Sequence, residues 1–160
     1  MEKIAPSGLP APARDKILPF CLTAGLVAAD QITKWLVVGN IPRRTVGAAF
    51  FGDFLRIIHA RNPGIAFSLG RDLPDAVRGI LFTVLPIVIL AALAVYYFRS
   101  DEFTRLQRWA VAGIIGGGVG NLIDRVFRPE GVVDFIDVRF FGLFGLDRWP
   151  TFNVADSSVV

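Results

Sequence analysis

The chain has 160 residues, enough for one domain and too few for two, and 53% of them are hydrophobic against 19% charged, with a mean hydropathy of +0.53. That apolar excess is more than a small soluble core absorbs and indicates a membrane protein; the net charge of +3 comes mostly from isolated arginines, only Arg43 and Arg44 being adjacent, which excludes a clustered basic face for nucleic acid. One Cys and one His exclude an intrachain disulfide framework and a His/Cys zinc site.

Residues 1–16, with Pro6, Pro10 and Pro12, read as a disordered tail. Residues 17–38 form a first span, uncharged from Ile17 to Ala29 and followed by Asp30 and Lys34, which at i, i+4 meet on one helix face just before Trp35. Two readings of that pair stand: a functional ionisable pair at membrane depth, or a solvated pair where the helix leaves the bilayer. The helical pattern running through Gln31 and Trp35 argues against cleavage of residues 1–29 as a signal peptide. Bulky Phe20 argues against lipid attachment at Cys21.

In the 39–78 segment, Val46 to Ala60 is rich in β-branched and aromatic residues with glycine breaks, which predicts a small sheet. Exposed Phe50, Phe51 and Phe54 would let it lie on the bilayer surface. Asn62-Pro63-Gly64 is a turn signal that ends it, and Ile65-Ala66-Phe67 resumes an apolar stretch. A second span, 79–98, is free of charge and long enough for a hydrocarbon core of roughly 30 Å. Arg78 and Arg99 bracket it, Tyr96-Tyr97 mark an aromatic belt, and Pro86 predicts a kink. After a short 99–108 loop comes a third span, 109–123, in which Gly113 with Gly117 and Gly116 with Gly120 form small-xxx-small pairs. These predict close contact with the first or second helix or with a ligand chain. Basic density is highest in the N-terminal tail and in 99–108, placing both in the cytoplasm, with 39–78 and everything after 123 outside.

Beyond the third span lie Asp124, Asp134, Asp137, Asp147 and Asp156. Asn121, Asp124 and Arg125 share one helix face; Asp134 sits in a short β-like run, VVDFID; Asp156 sits in FNVADS, where a fourth helix begins over 157–160. Carboxyls bordered by Val, Phe and Ala near a bilayer are partly desolvated, which raises their pKa. Two brought together share one proton, so that one draws a proton from water while the other polarises a carbonyl. Bland readings stand beside this: an ion pair of Asp124 with Arg125, Asp156 as a helix N-cap, Asp137 and Asp147 as surface loop residues, and His59 as a structural histidine. No Ser lies obviously beside a Lys, and the Gly116–Gly120 run lacks the Lys-Ser/Thr of a phosphate loop. The polar residues also admit a second class, a non-enzymatic proton-coupled carrier or membrane assembly subunit using Asp30, Lys34 and Asp124 as a relay.

DQITK (30–34), NPGIAF (62–67), GGGVGNLIDR (116–125), VVDFID (132–137) and FNVADS (152–157) occur in that order, and together they resemble the bacterial lipoprotein signal peptidase family, signal peptidase II, over residues 17 to 158. The resemblance implies a mainly α polytopic membrane protein with a small extracytoplasmic β-cradle and half-helix, forming a single peptidase domain of the bacterial inner membrane. It implies an aspartyl endopeptidase that cuts prolipoproteins just before a diacylglyceryl-modified cysteine. By motif position, Asp134 and Asp156 are the catalytic pair within an extracytoplasmic catalytic segment, 124–156. Asn62, Asn121, Arg125 and Asn153 line the substrate and globomycin-type inhibitor site. Asp30, Lys34, Gly64 and Asp124 support it. Membrane lipids are the surroundings, no metal or other cofactor is implied, and nothing requires more than a monomer. The family pattern continues into a fourth membrane helix, expected beyond Val160, and FFGLFGLDRW (140–149) makes a long loop between the two aspartates.

Overall fold

The structure, a computed structural model, describes residues 13–64, 70 and 72–160. Among the described residues, three helices are long and apolar enough to cross a membrane: α1 (Ala13–Asn40), α2 (Asp75–Arg99) and α3 (Arg105–Phe127). Each runs past the uncharged stretch that revealed it. Hydropathy marks the hydrocarbon segment, whereas the backbone ladder continues into the interface, where charged side chains are tolerated. The tail expected over residues 1–16 is therefore helical from Ala13; residues 1–12, Ile65-Ala66-Phe67 and Arg71 lie outside the described residues. Lys16 ties the ends of α1 and α2 together: its Nζ donates to the Phe98 carbonyl at 2.9 Å, it pairs with Asp101 at 2.7 Å, and its own carbonyl accepts from Tyr97 at 2.8 Å.

Helix α3 starts where a capping box closes it. Thr104 Oγ1 accepts from the Gln107 N–H at 3.3 Å and Gln107 Oε1 accepts from the Thr104 N–H at 2.8 Å. In α2, Pro86 has no N–H to offer the Phe82 carbonyl and its ring crowds that carbonyl, and the turn over Ile80–Val84 widens to a π-helix. The glycine face of α3 brings three partners close. A Cβ on Gly116 would sit 3.2 Å from the Thr23 Cα of α1, one on Gly118 2.7 Å from Leu90 of α2, and one on Gly117 2.4 Å from the Ala155 carbonyl. Both helices named as alternatives for this face are thus in contact with it.

The sheet is antiparallel in the order β1 (Val46–Phe50), β2 (Leu55–Asn62), β3 (Val132–Val138). The run expected to form the sheet splits into a hairpin, because Phe51, Gly52 and Asp53 all take positive φ and turn the chain. Its third strand is VVDFIDV, supplied from beyond α3. Val133 and Phe135 of β3 face Val37 of α1, with Ile41, Ile57, Ile136 and Val154 packed around them, so the sheet is seated on the end of α1. Phe50, Phe51 and Phe54 are exposed, as expected. The short helix α4 (Val154–Ser157) packs against α1 and α3.

Candidate active site

Strand alternation places Asp134 on the face opposite Val133 and Phe135. Phe152 then bridges to β3, its N–H donating to the Ile136 carbonyl at 3.1 Å and its carbonyl accepting from Phe135 and Ile136 at 3.0 and 2.8 Å. This bridge lays Asn153 beside Asp134. Asn153 is also the N-cap of α4: its Oδ1 accepts from the Asp156 N–H at 2.9 Å, and Asp156 Oδ2 accepts from the Asn153 N–H at 3.1 Å. Asp156 is therefore the return arm of a capping box and not the N-cap that its Ser-Ser neighbours suggested.

The two carboxylates are joined through amides. Asn153 Nδ2 donates to Asp134 Oδ1 at 2.8 Å and to Asn121 Oδ1 at 3.0 Å, and Asn121 Nδ2 donates to Asp156 Oδ1 at 2.7 Å. Asn62, brought over by its pairing with Val132, donates to Asp134 Oδ2 at 3.1 Å. Its own Oδ1 accepts from the Gly64 N–H at 3.1 Å, and Arg125 donates to the Gly64 carbonyl at 3.4 Å. Both aspartates, Asn62, Asn121 and Arg125 line one cavity of about 1020 Å³, whose remaining wall includes Ile89, Leu90, Phe140, Trp149 and Val159. Burial, and next the charge of Asp156, push the Asp134 carboxyl up to about 7, against the opposing effect of the Asn62 and Asn153 hydrogen bonds and of Lys34. Asp134 accordingly keeps its proton well above the pH at which an ordinary carboxyl has lost it.

Beneath the pair lies a buried polar cluster. Lys34, Asp30 and Asp124 are each 0% exposed, which decides against the solvated reading of the Asp30–Lys34 pair. Lys34 Nζ reaches Asp30 at 2.8 Å, Asp124 at 3.0 Å and Asn121 Oδ1 at 3.0 Å. Asp30 Oδ1 accepts from the Ala155 N–H at 3.0 Å and Asp124 Oδ2 from the Val133 N–H at 2.9 Å, one residue before each aspartate of the pair. The expected pairing of Asp124 with Arg125 is replaced by Lys34 and by Arg128 at 3.3 Å, because Arg125 turns to Gly64 and the cavity. Asp137, read as a surface residue, is 5% exposed on β3 and takes Arg148 Nε at 2.8 Å on both oxygens; the strand and not a loop carries it. Asp147 does lie at the surface, its side chain 72% exposed.

Two contributors escaped the sequence reading. Gln31 Nε2 donates to Asp30, to the Gly120 carbonyl and to Asp124 at 3.0, 3.0 and 3.2 Å, and Arg128 completes the acid balance. For Arg128 the i+4 spacing from Asp124 was a usable signal; nothing in the sequence marked Gln31 beyond its place beside Asp30. Among the described residues, no three His, Cys, Asp or Glu side chains group as metal ligands.

The profile of the family described as signal peptidase (SPase) II matches residues 22–160. The chain is similar to proteins named lipoprotein signal peptidase: 48% identical over 147 residues to that of Treponema pallidum (strain Nichols), covering 92% of this chain and 79% of the relative. It is 52% identical over 147 residues to that of Treponema denticola, covering 92% and 84%. A solved bacterial membrane enzyme structure at 2.3 Å resolution superposes with a TM-score of 0.75 at 30% identity, covering 89% of this chain and 80% of the other.

Proposed function

Because the chain belongs to the signal peptidase II family, we propose that it cuts the peptide bond just before the diacylglyceryl-modified cysteine of a prolipoprotein, with Asp134 and Asp156 as its catalytic pair. The observation that carries the reading is the amide-linked pair of aspartates, with the Asp134 carboxyl pushed up to about 7, in a cavity whose other wall is apolar.

The reaction follows from that asymmetry. Asp156 takes a proton from a water molecule as its oxygen attacks the scissile carbonyl carbon, and the Asp134 carboxylic acid donates its proton to the carbonyl oxygen. The resulting gem-diol collapses as one hydroxyl returns its proton to the carboxylate pair. The C–N bond then breaks and the leaving nitrogen takes up the other proton. Asn121 and Asn153 hold the two carboxylates in register through this exchange, and Lys34 holds Asn121. Asn62, Asn121 and Arg125 supply polar contacts to the peptide, and globomycin-type inhibitors would compete for them; Asn153, expected on the same lining, is fully buried and acts by holding Asp134. Gly64, Asp30, Lys34 and Asp124 keep those groups in place. The apolar wall from Ile89 to Val159 suits a signal helix or an acyl chain arriving sideways from the bilayer.

In this reading the protein is a monomer of the bacterial inner membrane, with its N-terminus and residues 99–108 in the cytoplasm and the sheet and aspartates at the outer face. The test is incubation of the purified protein in bilayers with a lipidated prolipoprotein and, in parallel, with its unlipidated precursor, following product mass. Cleavage of the lipidated form alone is expected, lowered about 10²–10⁴-fold in Asp134→Asn and in Asp156→Asn. A variant that folds and keeps near-full activity would remove that residue from the mechanism.

A further inference from the structure

Arginines that stand apart in the sequence converge in a second cavity of about 840 Å³, beside the end of α1 and along β2. Arg43, Arg44, Arg56, His59 and Arg61 line it together with the acids Glu130 and Asp137. Among the described residues it shares no lining with the cavity of Asp134 and Asp156. The two acids are already engaged: Glu130 pairs with Arg43 and stands 3.8 Å from Arg61 Nε, and Asp137 is held by Arg148. Arg56 is paired with Asp53. The cationic excess of the cavity therefore rests on Arg44 and Arg61.

Among the described residues, two buried polar groups at this wall lack a hydrogen-bond partner. Nε and Nη1 of Arg61 make no hydrogen bond, and neither does Nε2 of His59, a residue only 3% exposed. Buried donors and acceptors are nearly always satisfied, so such groups on the lining of one cavity mark a place where a ligand completes the set. His59 is fixed by Nδ1, 2.8 Å from the Ile41 carbonyl. A carbonyl only accepts, so Nδ1 carries the hydrogen, and Nε2 meets a ligand hydroxyl when the ring is neutral or a ligand oxygen when it is protonated. Burial, and then the neighbouring charges of Arg43 and Arg128, lower the Arg61 pKa, a penalty that an anion would relieve. Arg44 adopts φ 59, a conformation unusual for a side-chain-bearing residue, fixed by its N–H donating to the His59 carbonyl at 2.9 Å.

Depth identifies the anion. Arg43 and Arg44 come after Ile41 and Pro42, which follow the end of α1 at Asn40, and Trp35 in the last turns of that helix is 70% exposed. An exposed Trp near the end of a span marks the interface, where phospholipid headgroups lie. Guanidinium groups match the oxygens of a phosphate. We infer that this cavity binds the phosphate of an anionic phospholipid headgroup, with Arg44 and Arg61 donating to its oxygens and His59 Nε2 meeting the headgroup.

The test uses the protein in phosphatidylcholine nanodiscs doped with rising fractions of phosphatidylglycerol, with native mass spectrometry reading the lipid that stays bound. Wild type is expected to retain one phosphatidylglycerol, and Arg61→Gln and Arg44→Gln to retain it about tenfold more weakly, the effect of losing one charge-assisted contact. Arg44 is exposed, so its variant separates lost binding from misfolding. In a second arm, inorganic phosphate is titrated against the bound lipid. Failure to displace it assigns the site to the headgroup; displacement by phosphate, absent in Arg61→Gln, assigns the same pocket to free phosphate. Equal retention of phosphatidylglycerol by wild type and both variants overturns the inference.

Discussion

Replacing Lys34 with Met isolates the buried cluster under the aspartate pair. The ammonium has three N–H groups and three acceptors, Asp30, Asp124 and Asn121, all between 2.8 and 3.0 Å, and it is shielded from water. Met preserves most of the volume and removes the charge. Asp30 keeps Gln31 and the Ala155 N–H, and Asp124 keeps Arg128, Gln31 and the Val133 N–H. Those contacts soften the loss without supplying a buried countercharge to two carboxylates. Breaking a buried pair from one side costs about 3–5 kcal/mol, which for a chain of this size lowers the Tm by roughly 6–20 °C. Thermal unfolding in detergent micelles measures it. The triple variant Asp30→Asn, Lys34→Met, Asp124→Asn leaves no buried carboxylate without its ammonium and strands only the partly exposed Arg128, so it should recover much of the lost stability. If Lys34→Met unfolds within a degree or two of wild type, or the triple variant is no better than the single one, the electrostatic account of this cluster is wrong.

Asp134 makes stability depend on pH. Its carboxyl titrates at about 7 in the folded protein against 3.8 as the ordinary value, so the folded state holds the proton more tightly and stability falls as pH rises from about 4 to about 7. The total fall is about 4 kcal/mol; Asp134→Asn should abolish this slope, and a parallel pH dependence in the variant would refute the assignment. Peptide cleavage should decline above about pH 7 as Asp134 loses its proton, seen as the basic limb of a kcat/KM profile. Gly117→Ala places a Cβ 2.4 Å from the Ala155 carbonyl and 2.3 Å from Ser158 Oγ, and should push α4 and Asp156 off position; activity is expected to fall at least tenfold with a stability loss of about 1–3 kcal/mol. Thr104→Ala opens the capping box of α3 and should cost about 1 kcal/mol in unfolding while leaving cleavage unchanged.

Sequence by itself determined the membrane class, the three spans, the turn at Asn62–Gly64, and the residue types of the site in their order along the chain. These are local properties: an uncharged run long enough for a bilayer, or a motif whose spacing is its own signature, needs no partner to be legible. The tertiary structure decided what meets what. It took β3 from beyond α3 to complete a hairpin made before α2, which set Asn62 against Asp134. It buried Asp137 on that strand and turned Asp124 away from its neighbour Arg125 toward Lys34, far off in sequence. It left Arg44 and Arg61 sharing a cavity although they are scattered in the chain. Burial and pairing depend on which distant surface arrives at a side chain. An Asp–Arg doublet or an isolated arginine reads the same whether that surface is water, a lysine or nothing at all.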